Sequence, residues 1–294
     1  MQKTYDVIII GAGIAGMTAA IYLKRYNLDV LILEQNIPGG QISKASIIEN
    51  YPGIKKIDGT TFSMNLLEQI SDLKIDINYE KVIKIETEKI KTVKTENQKY
   101  YTKNIIIATG RRPKSLNIGE EKYIGKGISY CATCDGMFYK NKDVIVVGGG
   151  NSALEESLYL SDICNKVTIL NRSDKLKADE ILIDKINKRS NIEILLNSNI
   201  KKINGKEFIE SIELMDNKIL NCNAIFIYIG LIPNTEIFDV KKENGYIIVD
   251  KEQMTNINNI YAVGDVVKKD LYQLITAASE GAIAANNIKR KNSN

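Results

Sequence analysis

Two stretches of this 294-residue chain align on each other without a gap: YDVIIIGAGIAGMTAAIYLKRYNLDVLILEQ at 5–35 and KDVIVVGGGNSALEESLYLSDICNKVTILNR at 142–172. Asp6 meets Asp143, Gly11 meets Gly148, Leu23 meets Leu160 and Glu34 meets Asn171. Each copy is a short β-branched run, a glycine turn, a stretch of helical period and a second β-branched run. That order reads as a βαβ unit opening a parallel sheet. The expected fold is α/β, with two Rossmann-like three-layer nucleotide-binding domains, and the length suffices for each to bury its own core.

The remaining segments attach to these modules. IIIATGRRP at 105–113 and AIFIYIGLIP at 224–233 are buried-strand runs ending in Gly-x-x-Pro, read as the last sheet strand of each module. The alternation across 82–102 predicts an antiparallel meander inside the first module. After the second module come two short strands, Gly264-Asp265 and a helix rich in small apolar residues. That piece is too short for a core of its own and is expected to close onto the first module. The second domain, 113–242, is thus read as inserted into a first domain made of 1–112 plus 243–294. The tail KRKNSN reads as frayed.

Apolar residues make up 44% of the chain and charged residues 26%, and no apolar run approaches the roughly 20 residues of a membrane span. No membrane partner is expected. The apolar run near the N-terminus leads straight into a glycine turn, so it reads as a strand rather than an export signal, and the expected location is cytoplasmic. The 40 basic and 36 acidic residues are dispersed without a basic stripe, which argues against nucleic acid. With no histidine in the sequence, proton transfer falls to carboxylate, thiol, tyrosine or lysine.

In Gly11-Ala12-Gly13-Ile14-Ala15-Gly16 the first glycine makes the turn, the second lets backbone amides approach a pyrophosphate, and the third permits close helix packing. Glu34 ends the next strand, where an acid accepts from a ribose hydroxyl. Gly148-Gly149-Gly150-Asn151-Ser152-Ala153 repeats the device. Its second strand ends in Asn171 instead of an acid, followed by Arg172, Ser173, Asp174, Lys175, Leu176 and Lys177. Basic residues there suit a 2′-phosphate, although the same run also reads as a solvated charged face.

Cys131-Ala-Thr-Cys134-Asp135 precedes the second module. Such a pair is a redox dithiol, half a zinc site or two inert core cysteines. A zinc site would need two more ligands, and only Cys164 and Cys222 remain, in no paired spacing; no metal is expected. Asp135 is the ionisable group certain to lie near the pair, as its acid or base or as a cap of the following turn. Cys164 and Cys222 read as small buried hydrophobes.

GAGIAG, PGGQISKASIIENYPG at 38–53, ATG at 108–110, CATCDG at 131–136, GGGNSALEE at 148–156 and YAVGD at 261–265 together resemble the low-molecular-weight thioredoxin reductases over essentially the whole chain. The resemblance implies FAD on the first domain. Its contacts would be Gly11, Gly13, Ile14, Ala15 and Gly16, then Glu34 and Gln35, Gly39, Gly40, Gln41 and Ile42, and Asn50 with Val82. Ala108, Thr109 and Gly110 would follow, with Gly264, Asp265, Tyr272, Gln273 and Leu274 near the C-terminus. NADPH would lie on Gly148, Gly150, Asn151, Ser152, Ala153, Arg172 and Lys177. The resemblance further implies that Cys134 faces the flavin, Cys131 attacks the disulfide of thioredoxin, Asp135 protonates the leaving thiolate, and the chain is a homodimer.

Two departures stand out. NADPH-using members carry His-Arg-Arg and a further arginine where this chain has Asn171, Arg172, Ser173 and Lys177, and an Arg-Gln pair where it has Tyr272-Gln273. These are similar to changes in a clostridial-type subgroup that draws electrons from ferredoxin, so ferredoxin stands as the alternative donor.

Overall fold

The computed structural model describes residues 3–45 and 47–292, apart from the Lys44 side chain. The chain divides into two compact units, Met1–Arg112 with Ile232–Asn294, and Pro113–Leu231. The return crossing falls at 231/232, earlier than the expected 242/243. The intervening residues are held to the first unit: Thr109 Oγ1 donates to the Asn234 carbonyl at 2.7 Å, and Asn234 Nδ2 donates back to the Thr109 carbonyl at 2.8 Å. Phe238 and Val240 are buried in the same core as Ile8 and Ile10.

The first unit opens with β1 (Thr4–Ile10), α1 (Ile14–Arg25) and β2 (Val30–Glu34). β1 and β2 run parallel, with Val7 beside Val30 and Ile10 beside Leu33. Val7, Ile8, Ile9 and Ile10 are all buried, because both faces of the sheet are covered. Next comes α2 (Gly59–Asp72), whose N-cap Asp58 accepts from the Thr61 amide at 2.9 Å. β3 (Asp76–Tyr79), β4 (Val82–Glu86), β5 (Lys91–Thr95) and β6 (Lys99–Ile107) follow. β4, β5 and the first half of β6 form the antiparallel meander, while β6 also runs parallel to β1.

β7 (Arg111–Pro113) leads out of this unit. The second unit holds β8 (Ile128–Ser129), the short helix α3 (Ala132–Asp135), β9 (Asp143–Val147), α4 (Asn151–Ser161), β10 (Lys166–Leu170), α5 (Glu180–Asn187) and β11 (Ile192–Leu195). β12 (Ile200–Gly205), β13 (Ile209–Leu214) and β14 (Ile219–Asn221) then form an antiparallel sheet, and β15 (Ala224–Ile227) completes the parallel order β11-β10-β9-β15-β8. This second meander was not expected: the β12–β13 ladder slips register at Ile200/Lys202 and again at Asn204/Gly205, and each slip breaks the period-2 signal.

After β16 (Leu231–Pro233) the chain returns to the first unit through β17 (Lys242–Glu243), β18 (Tyr246–Ile247), β19 (Ile260–Ala262) and α6 (Leu274–Asn292). β19 pairs parallel with β6, Ile260 beside Ile105, so 105–107 is not the last strand of its sheet as expected. α6 lies against α1 so closely that a side chain at Gly281 would meet the Ala15 carbonyl. The tail is helical to Asn292 rather than frayed: Ile288 is buried, Lys289 lies over the Tyr26 ring at 4.5 Å, and Arg290 pairs with Glu252 at 3.3 Å. Ser293 and Asn294 lie outside the described residues. No described helix is long and apolar enough to cross a membrane.

Candidate functional site

In the first unit the glycine turn between β1 and α1 divides its labour. Gly11 has φ +109° and lies against the Ala108 carbonyl, and Gly16 lies against the Gly11 carbonyl, so neither position admits a side chain. Gly13 has nothing within 4 Å of where a Cβ would sit, and Gly40, at φ +57°, places its own Cβ position 3.5 Å from Gly13 Cα. These two bare positions leave the amino end of α1 open, with no acid in its first turn and with Ile14, Ala15 and Gly16 buried there. An anionic pyrophosphate fits such an opening. Gly39, at φ +110° against Ser63, ties its loop to the turn by donating to the Ala12 carbonyl at 2.8 Å.

Glu34 Oε2 accepts from the Ala12 amide at 2.7 Å and Oε1 from the Asn36 amide at 2.8 Å. A carboxylate offers about four acceptor positions, so ribose hydroxyls still have room. Gln35 is exposed beside it, and Ile42 is buried. Further along, Asn50 Nδ2 donates to Gln273 Oε1 at 3.1 Å, and Gln41 Nε2 donates to the Arg111 carbonyl at 2.9 Å. Arg111 holds the Asp265 carboxylate through Nη2 at 2.7 Å and Nε at 3.1 Å and stacks on Tyr272 at 4.1 Å. Gly264, at φ +77°, donates to Glu280 at 2.7 Å. Ala108, Thr109 and Gly110 follow β6, and Leu274 opens α6. Val82 is placed otherwise: its side chain is buried in the core with Ile85 and Tyr100, so any contact it makes to a bound group runs through its backbone.

Sequence reasoning missed Arg111. Nothing in Gly-Arg-Arg-Pro separates a solvated cation from one that is paired and stacked; the fold alone brings it to Asp265.

The second unit repeats the device. Gly148, at φ +143°, lies against the Tyr228 carbonyl, whereas Gly150 has nothing within 4 Å of its Cβ position. Ala153 is buried in α4, and Asn151 and Ser152 are exposed. Asn151 and Asp179 exchange two hydrogen bonds of 2.8 Å, which tie Asp179 to the start of α4, a pairing its sequence context did not mark. Asn171 departs from expectation. It is 6% exposed, and its Nδ2 donates to the Ser173 carbonyl, Ser173 Oγ and the Lys175 carbonyl at 3.1, 3.2 and 2.8 Å. It therefore braces the loop from inside, and its side chain fills the space a Gly149 Cβ would need. The Lys177 amide donates to the Gly149 carbonyl at 2.7 Å. The loop is thus tied to the glycine turn and presents the exposed side chains of Arg172 and Lys177, two cations that fit a phosphorylated dinucleotide.

In the same unit Cys131 and Cys134 are joined as a disulfide, their Cα atoms 5.3 Å apart. Cys131 is the N-cap of α3, its Sγ accepting from the Cys134 amide at 3.2 Å. Ser129 Oγ donates to Asp135 Oδ2 at 2.6 Å and accepts from the Cys131 amide at 3.0 Å, while the Asp135 amide donates to the Cys131 carbonyl at 3.1 Å. The acid is thereby linked to the backbone of the first cysteine. Cys134 is exposed and Cys131 half-buried. Burial pushes the thiol of Cys164 up to about 11 and that of Cys222 up to about 12, which makes both poor nucleophiles.

Glu156, on α4, carries a buried Oε2 without a hydrogen-bond partner. Burial, reinforced by the charge of Glu155, pushes its carboxyl from 4.5 up to about 7. The unfolded chain ionises this group above about pH 4.5 and the folded one above about pH 7. Its contribution to stability is complete below the lower value, falls as the pH rises, and ends as a penalty on the order of 3 kcal/mol. Glu156→Gln should therefore raise the thermal unfolding midpoint at pH 8 much more than at pH 5. Equal shifts at both values would show that Glu156 is not desolvated.

Two glycine-turn modules, one bearing a cystine beside a tethered acid, define a dinucleotide-linked disulfide oxidoreductase. The chain belongs to the pyridine nucleotide-disulphide oxidoreductase family, whose model matches residues 5–282. It is 40% identical to a thioredoxin reductase of Listeria monocytogenes, over 98% of this chain and 94% of that protein. Among solved structures, thioredoxin reductase of Lactococcus lactis in its FR conformation is 41% identical, with a TM-score of 0.87 and 98% of both chains covered. A ferredoxin-flavin thioredoxin reductase of Clostridium acetobutylicum is 29% identical, with a TM-score of 0.57, covering 100% of this chain and 99% of that one.

Proposed function

We propose that this chain is a thioredoxin reductase, taking electrons from NADPH and delivering them through Cys131 and Cys134 to the disulfide of thioredoxin. The observation that carries the reading is the Cys131–Cys134 disulfide lying in the unit that bears the second glycine turn. FAD, when bound, supplies the two-electron relay between a nicotinamide and a disulfide. Gly13, Gly40, Glu34, Gln41, Asn50, Asp265 and Gln273 would hold it, with Arg111 fixing the Asp265 carboxylate. Gly150, Ser152, Arg172 and Lys177 would hold NADPH.

The Cys134 amide, which donates to Cys131 Sγ at 3.2 Å in the disulfide, would stabilise the Cys131 thiolate of the reduced dithiol. That thiolate attacks one sulfur of the thioredoxin disulfide, breaking that bond, forming a mixed disulfide and releasing one thioredoxin thiolate, which Asp135 protonates. The Cys134 thiolate then attacks Cys131 Sγ, which reforms the chain's own disulfide and releases the second thioredoxin thiolate. Two electrons have passed to thioredoxin.

The protein is proposed to work in the cytoplasm as a homodimer. The homodimer is proposed on the resemblance to the low-molecular-weight thioredoxin reductases. The deciding experiment is anaerobic reduction of oxidised thioredoxin with NADPH, NADH or reduced ferredoxin as donor. The proposal expects NADPH to sustain turnover and to exceed NADH. Turnover with ferredoxin alone would replace it with the ferredoxin-linked reading.

A further inference from the structure

Tyr228, just past β15, is fixed to the second glycine turn by its backbone: its amide donates to the Val147 carbonyl at 2.8 Å, and its own carbonyl fills the place of a Gly148 side chain. Its side chain reaches a different element. The hydroxyl accepts from the Ala132 amide at 2.7 Å. Ala132 follows Cys131, is fully buried, and opens α3, so its amide has no intrahelical acceptor. The Tyr228 ring packs against the core that contains Ala132, Val146 and Phe226. Burial, with the nearby Glu156 carboxylate adding to it, raises the hydroxyl above the ordinary tyrosine range, so it stays a neutral hydroxyl.

We propose that Tyr228 is a positioning residue for the redox pair: its hydroxyl fixes the amino end of the Cys131–Cys134 turn and thereby favours the closed disulfide over the open dithiol. The inference rests on this pair being the redox-active one. A buried N–H left without an acceptor carries a penalty equivalent to about fivefold or more in an equilibrium. In the disulfide form the covalent ring holds the Ala132 amide in place, so losing the tyrosine oxygen exposes the molecule to the whole penalty. In the dithiol the turn is free to open and bring the amide to water, which relieves part of it. Removing the hydroxyl should therefore destabilise the disulfide more than the dithiol.

The test is Tyr228→Phe, which keeps the ring in the core. Holoenzyme is equilibrated anaerobically with dithiothreitol buffers and the cysteines are counted by alkylation and mass. One dithiothreitol thiolate breaks the chain's S–S bond and forms a mixed disulfide. Its second thiolate closes the reagent ring and releases the remaining protein sulfur, so two electrons and two protons move to Cys131 and Cys134. Tyr228→Phe should be about fivefold easier to reduce than wild type, about 20 mV higher in potential. Tyr123→Phe removes another tyrosine hydroxyl bond of this unit, to the Gly205 carbonyl at 2.7 Å, and should leave the equilibrium unchanged. A wild-type equilibrium in Tyr228→Phe, or an equal shift in Tyr123→Phe, overturns the inference. A wild-type pair that no buffer reduces overturns the redox assignment itself.

Discussion

Serine at either Cys131 or Cys134 should abolish reduction of thioredoxin, a fall of roughly a thousandfold or more, because each thiolate performs one displacement that nothing else in the chain can perform. FAD should remain bound in both variants, since Gly13, Glu34 and Asp265 lie in the unit that lacks these cysteines. Cys164→Ser and Cys222→Ser should turn over normally: both thiols are buried and pushed up to about 11 and 12. Thioredoxin assays on the four variants separate the two pairs. Activity retained without Cys131 or Cys134 would remove the assignment.

Arg172→Ala should raise the NADPH concentration required for half-maximal rate by about ten- to a hundredfold, the loss of one charge-assisted contact to a phosphate. The NADH requirement should stay where it is, because NADH carries no 2′-phosphate. Lys177→Ala should cost less, since an ammonium offers charge without a bidentate fork. Parallel rate measurements with both nucleotides read the effect, and an equal rise for both would place Arg172 away from the 2′-phosphate. Asn171 is a poor place to strengthen the site. A histidine there would lose the brace to Ser173 and Lys175 and crowd Gly149. Arginine at Ser173 and Lys177 is the better design.

What the sequence made legible was whatever repeats locally. The two βαβ units, both glycine turns and the cysteine pair are contiguous patterns whose physical requirements fall within about thirty residues. The antiparallel strands of the first unit were readable because the β5–β6 ladder runs without a slip and a single slip, at Val82/Lys84, interrupts β4–β5, whereas those of the second hide behind two register slips in the β12–β13 ladder. The return crossing was misplaced because Thr109 and Asn234 bond across 125 positions, a pairing no local pattern announces. Asn171 illustrates a different limit. Its position in the repeat identifies it with Glu34, but its amide points into the loop, where Glu34 accepts from the glycine turn. Arg111 and Tyr228 escaped because their partners, Asp265 and Ala132, are distant in sequence.

The central claim is that electrons from NADPH arrive at Cys131 and Cys134. The most direct measurement is an anaerobic addition of NADPH to the FAD-loaded protein, followed by alkylation under denaturing conditions and peptide mass analysis. The account predicts that Cys131 and Cys134 are unmodified before NADPH and both alkylated after it, with Cys164 and Cys222 alkylated throughout. A Cys131–Cys134 disulfide that survives excess NADPH while the flavin is bleached would contradict it.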